Sequence, residues 1–164
     1  MPETKAHGLQ GMTFGSIDAI IMVIGIVVGL GTIGDRTAVF VGILIAGIAN
    51  SFGNAWGFHI SEETENIHTR KEVWTSTLMS FSGTFMSTMI LIIPVIFLPL
   101  TQAIAATVLI GIGMIVLIGL FVGRIRGLGR RGCCKLVLEY VSISMLVIVI
   151  AYYLGQFASG LGGD

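Results

Sequence analysis

The chain has 164 residues, of which 54% are hydrophobic and only 11% charged, with zero formal net charge, a pI near 6.8 and a mean hydropathy of +0.95. Soluble domains carry about 25% charged residues, and a chain this short cannot hide so much apolar surface from water, so a soluble fold is excluded. The balanced charge and the absence of a basic, aromatic-laced surface exclude nucleic acid as a partner. What is left is an all-α integral membrane protein whose first partner is the lipid bilayer.

Residues 1–13 carry Glu3, Lys5 and His7 without apolar periodicity and read as a short flexible or interfacial lead. A cleaved signal peptide is not expected, because its apolar core is about 7–15 residues long. The first apolar span, residues 14–32, is longer and contains Asp18. That carboxylate lies about one turn inside the hydrocarbon, where an ionisable group costs roughly 2.5–3.5 kcal/mol. Positions 18, 22, 25 and 29 share one helical face that reads Asp18, Met22, Gly25, Gly29. The face offers a hard ligand, a soft ligand one turn deeper, and two residues that admit another backbone. The plainer reading is an aspartate that snorkels to the interface or caps the helix. The functional reading is a cation site at a pore mouth.

Gly31, Gly34, Asp35 and Arg36 form a tight turn into the second span, residues 37–58. Its second half places Gly47, Asn50, Ser51, Asn54 and Gly57 at three- and four-residue steps, hence on one face. Two antiparallel helices joined by a short turn are neighbours. At about 1.5 Å per residue, Asn54 returns to the depth of Asp18 and Asn50 to that of Met22. Amide oxygens beside a carboxylate suit a hard divalent cation, and a thioether adds softer character. The same asparagines read equally well as hydrogen-bond glue between helices.

Residues 59–73 form the strongly polar stretch between spans. If the helix continues, His59, Glu62 and Glu63 stand at i, i+3 and i+4, with Glu65 just beyond, a cluster compatible with metal ligation; His68 and Glu72 repeat the i, i+4 step. Read blandly, the stretch is a solvated face with ordinary ion pairs. The third span, residues 75–97, has a small polar stripe at Ser76, Ser80, Gly83 or Thr84, and Ser87, and Pro94 is expected to kink its outer end. The fourth, residues 101–122, is glycine-rich and uncharged; the fifth, residues 136–157, carries Glu139 near its start. Glu139 pairs with a loop arginine or is a second intramembrane carboxylate; both readings stand. Cys133 and Cys134 lack metal-finger spacing and read as a free pair or a lipid-attachment site.

With five spans the termini lie on opposite sides. Eight of the nine basic residues (Lys5, Arg70, Lys71, Arg124, Arg126, Arg130, Arg131, Lys135) fall on the N-terminal side, and Arg36 on the other. Basic loops stay inside, so the N terminus is expected in the cytoplasm and the C terminus outside. Asp18, Asn54 and the Glu/His stretch then share the cytoplasmic end.

The run from Asp18 to Gly29-Leu30 resembles the first-helix signature of the vacuolar iron transporter family, in which an Asp-Gly opens the motif and a Gly-Leu closes it at this spacing. Trp56 followed by Ser61-Glu62 is similar to the end of that family's second helix, and Tyr153-Leu154-Gly155 to the end of its fifth. Ser51 stands where the family places a methionine, Ile43 where members place an acid, and a short stretch with Glu62, Glu63, Glu65 and Glu72 replaces the long glutamate-rich insert. The resemblance implies a homodimer that carries Fe2+ or Mn2+ out of the cytosol in exchange for protons, by a route between the first two helices that uses Asp18.

The expectation is therefore one five-helix domain over residues 1–164, in the plasma membrane of a prokaryotic cell, that exports divalent metal against protons. Asp18, Met22, Asn50, Asn54, His59, Glu62, Glu63 and Glu65 are its metal ligands. The step from Gly25 to Gly29 lets two helices approach closely, and a homodimer is expected, with the path at or near the subunit boundary. The metal is cargo, and no permanently bound cofactor is expected. An enzyme is not expected either, since no nucleophile–base pair, cofactor motif or zinc signature is present. The alternative is a metal-sensing or scaffolding subunit that does not transport.

Overall fold

The structure, a computed structural model, describes residues 3–65 and 67–161, with side chains from Gly8 onward. Asn66 and the side chains of Glu3, Lys5 and His7 lie outside the described residues, as does the end of the glycine-rich tail at Asp164. The chain forms five helices: α1 (Glu3–Gly31), α2 (Arg36–Glu65), α3 (Arg70–Phe97), α4 (Leu100–Ile125) and α5 (Arg130–Leu161). Each is long and apolar enough to cross a membrane. Helix is the form this composition dictates, because in hydrocarbon every backbone N–H and C=O must be satisfied within its own segment.

The helices run past the apolar spans. The stretch expected as a flexible or interfacial lead is already helical from Glu3, and α2 continues through His59 and Glu62 to Glu65. Backbone hydrogen bonding has no reason to stop where side chains turn polar; it stops where the chain supplies caps. Asp35 caps α2, accepting from the backbone N–H of Thr37 (2.8 Å) and Ala38 (3.2 Å). Thr69 and Glu72 form a capping box at the start of α3: the Thr69 N–H donates to Glu72 Oε2 (2.9 Å) and the Glu72 N–H to Thr69 Oγ1 (3.4 Å). This corrects the reading of His68 and Glu72 as a repeated ligand step, because Glu72 is folded back onto the backbone. At the far end of α4, Gly127 adopts φ 67° and Leu128 donates to the Gly123 carbonyl, a Schellman stop. The Arg36 guanidinium donates to the carbonyls of Val95 and Ile96, two of the acceptors that the end of α3 leaves open. α3 runs through Pro94 to Phe97.

The chain divides into two compact units. The first holds residues 1–19 and 44–90, the second residues 20–43 and 91–164. In the first, α1 lies directly on α3: a Cβ at Gly15 would strike the Ser80 carbonyl and the Thr84 hydroxyl, so only glycine permits this approach. In the second, α1 meets α5 at Gly155, where a Cβ would strike the Gly29 carbonyl, and Gly25 faces Val147. The close approach expected of the step from Gly25 to Gly29 is made here to α5, at Val147 and Ala151. Glu139 is exposed on α5; Cys133 is half-buried with its thiol near the Leu128 carbonyl (3.4 Å), and Cys134 is exposed.

Candidate functional site

Asp18 lies in the first unit, half-buried on α1. Two amides of α2 converge on one of its oxygens: Asn50 Nδ2 donates to Oδ2 at 2.5 Å and Asn54 Nδ2 at 2.8 Å. Asn54 also donates to Thr84 Oγ1 on α3 (3.1 Å), and Thr84 passes its own hydrogen to the Ser80 carbonyl (3.0 Å). Three helices therefore meet at one carboxylate.

Depth along the two helices pairs Asn50 with Met22, whereas in the structure both amides turn to Asp18. The physical reason is strength: a carboxyl oxygen is a far better acceptor for an N–H than a thioether sulfur, so both amides turn to it. Met22 sits one turn further along α1, half-buried and in the second unit. Both asparagines present nitrogen, not oxygen, to the carboxylate. Rotating either amide by half a turn would bring its oxygen forward beside Asp18, and that is the change a bound cation would demand.

A second cluster surrounds His59, which is 6% exposed although it belongs to the polar stretch. Its ring stacks on Trp56 (centroids 5.3 Å apart, interplanar angle 4°) and meets the edge of Trp74 (4.7 Å, 63°). Nδ1 lies 2.9 Å from Thr77 Oγ1. Thr77 has one hydroxyl hydrogen and donates it to the Val73 carbonyl (2.7 Å), so the hydrogen between histidine and threonine belongs to Nδ1. Nε2 then faces Glu63 Oε1 at 3.4 Å. Glu62 is buried, 5% exposed, on the same last turns of α2. Glu65, exposed, holds His68 Nε2 at 3.0 Å.

The expected ligand set is thus scattered, with Met22 apart in the second unit and Glu62 buried near the end of α2. Asp18, Asn50 and Asn54 form one group, His59 and Glu63 a second, and Glu65 with His68 a third. Among the described residues, no three or more of His, Cys, Asp and Glu are grouped closely enough to hold a metal ion. The aromatic box around His59 escaped sequence reasoning, although Trp56 at i−3 gave a signal for it. The capping box escaped too, although Thr69 three residues before Glu72 is its ordinary pattern. No family model matches the chain, and no curated protein or solved structure matches it either.

Proposed function

We propose that this protein carries a divalent metal ion, Fe2+ or Mn2+, out of the cytosol in exchange for protons, with Asp18 as the obligatory station. The observation that supports this reading is the carboxylate of Asp18, on a helix long and apolar enough to cross a membrane, held by Asn50 and by Asn54, which also bonds Thr84. A lone carboxylate at such a place is costly, and intramembrane ionisable groups mark ion and proton pathways. Its neighbours can serve it in two ways. With the charge exposed, both amides donate N–H groups; with a cation bound, the same amides turned over donate oxygen. The acidic end of α2, with Glu62, Glu63 and Glu65, gathers cations by charge attraction, and the excess of basic residues on the same side supports an N terminus in the cytoplasm. The unit of function is a homodimer in the plasma membrane of a prokaryotic cell, as the resemblance implies.

The second reading, a metal-sensing or scaffolding subunit without transport, draws on the direction of the hydrogen bonds. Both asparagines donate to Asp18, as glue between helices would. One variant separates the two. Asp18→Asn keeps the shape and an acceptor for both amides, so the protein stays folded in detergent. In proteoliposomes its pH-driven Mn2+ flux drops about tenfold or more, a loss of at least 1.4 kcal/mol at the rate-limiting step. Wild-type flux in a well-folded Asp18→Asn protein decides for the scaffold.

A further inference from the structure

We propose that the turn between α4 and α5 is a docking surface for anionic lipid, with Arg126, Arg130 and Arg131 holding the phosphate of a headgroup in the surrounding leaflet. The inference concerns the second unit alone and does not depend on metal transport.

The starting observation is charge without counter-charge. Arg124, Arg126, Arg130, Arg131 and Lys135, five of the nine basic residues of the chain, stand within residues 124–135. From Val73 to Leu138 the sequence has no Asp or Glu, and the first acid after the turn is Glu139. All five basic side chains are exposed, and none has a hydrogen bond or ion pair among the described residues. Arg36, by contrast, donates to two carbonyls at the end of α3.

Placement sharpens the imbalance. Arg124 and Arg126 lie at the C-terminal end of α4, where the helix dipole favours a cation. Arg130 and Arg131 open α5, where the dipole opposes one. α2 starts on Asp35 and α3 on Thr69 with Glu72, whereas the first turn of α5 has no acid and the residue before it is Gly129. An anion at this turn relieves both the repulsion among the arginines and their conflict with the dipole. The backbone leaves room for it: a Cβ at Gly127 or Gly129 would meet nothing within 4 Å.

Depth selects the occupant. The 26 residues of α4 make a rod of about 39 Å, longer than the hydrocarbon core of about 30 Å, and its uncharged run stops just before Arg124. The basic turn therefore stands at headgroup level, where lipid phosphate is the anion always at hand. Four of the five cations are arginine, whose planar fork takes phosphate oxygens two at a time. Leu120, Phe121 and Ile125 on α4 and Leu138 on α5 are exposed beside the cluster and offer apolar surface to the acyl chains. The rule that basic loops stay inside counts such residues without regard to their positions, whereas a headgroup site depends on them.

The test uses the full-length protein, stripped of lipid in mild detergent, and counts bound lipid by native mass spectrometry as phosphatidylglycerol or phosphatidylcholine is added. Wild type binds phosphatidylglycerol about tenfold more tightly or better, and the preference shrinks as salt rises. In Arg126→Gln/Arg130→Gln/Arg131→Gln the preference falls to about twofold or less, while Arg124 and Lys135 remain to hold the orientation. A second readout needs no substitution. Cys134 is exposed and lies one turn beyond Arg130 on the same face, so phosphatidylglycerol slows its reaction with a water-soluble maleimide severalfold and phosphatidylcholine does not. Equal binding of the two lipids by wild type overturns the proposal. So does a preference that survives in the folded triple variant, or labelling that phosphatidylglycerol leaves unchanged; the labelling decides alone if that variant does not fold. Displacement of the lipid by excess inorganic phosphate also overturns it, because the turn would then be a site for a free anion.

Discussion

The two units share α1, α2 and α3, with α4 and α5 wholly in the second, and they have opposite interiors. Of the twelve buried polar side chains among the described residues, ten belong to the first unit, including His59, Glu62, Thr84 and the serines of α3. Of the sixteen buried hydrophobic side chains, thirteen belong to the second, and the three in the first are Ala19, Ala55 and Val73. An apolar interior between membrane helices gains packing and little else, because lipid is as apolar as the core it replaces. A polar interior is costly unless fully satisfied. The chain thus concentrates most of its buried polar groups in the first unit and most of its apolar core in the second.

Substitutions that exchange the two kinds of interior test this division. The largest effect on stability is expected in the apolar unit: Ile24 is fully buried with its Cδ1 against Gly111, and Ile24→Ala opens a hole there, at a cost of about 2–4 kcal/mol in a reversible detergent-unfolding titration. Asp18→Asn in the polar unit should do the opposite, moving stability by under about 1 kcal/mol while removing most of the flux. Equal destabilisation by the two variants would erase the distinction. Thr84→Val ranks next. It removes the acceptor for one Asn54 hydrogen and one donor to the Ser80 carbonyl, and is expected to lower stability by about 1 kcal/mol, with slower driven uptake. Glu63→Gln is milder still: the side chain is 61% exposed, so a few-fold loss confined to low Mn2+ and low ionic strength is expected, and a loss that survives high salt would contradict it. The smallest perturbation is a label. Cys134 is exposed and Cys133 half-buried, so a membrane-impermeant maleimide should mark Cys134 from the cytoplasmic face, and marking from outside intact cells would reverse the orientation.

Much of this was legible in the sequence because lipid leaves so few options. An apolar run near twenty residues forms a helix, and five runs gave five helices. Asp18, Asn50 and Asn54 stood out since a polar residue in such a run is an exception. Local decisions were harder to see. Depth along the helices pairs Asn50 with Met22, but a carboxyl oxygen outbids a thioether for an N–H. Helix ends followed from caps at Asp35 and Thr69 rather than from where apolarity faded. The glycines at 25 and 29 announced close packing without saying with what, because a small face has no address; the partner was α5 of the same chain.

The aromatic box around His59 has an optical consequence. The chain has two tryptophans, and both touch this one imidazole: Trp56 lies flat on it and Trp74 meets it at the edge. The intrinsic tryptophan emission of the entire protein therefore reports on the surroundings of a single imidazole at the acidic end of α2. Arrival of a metal ion beside Glu63 would register there as light, with no dye attached.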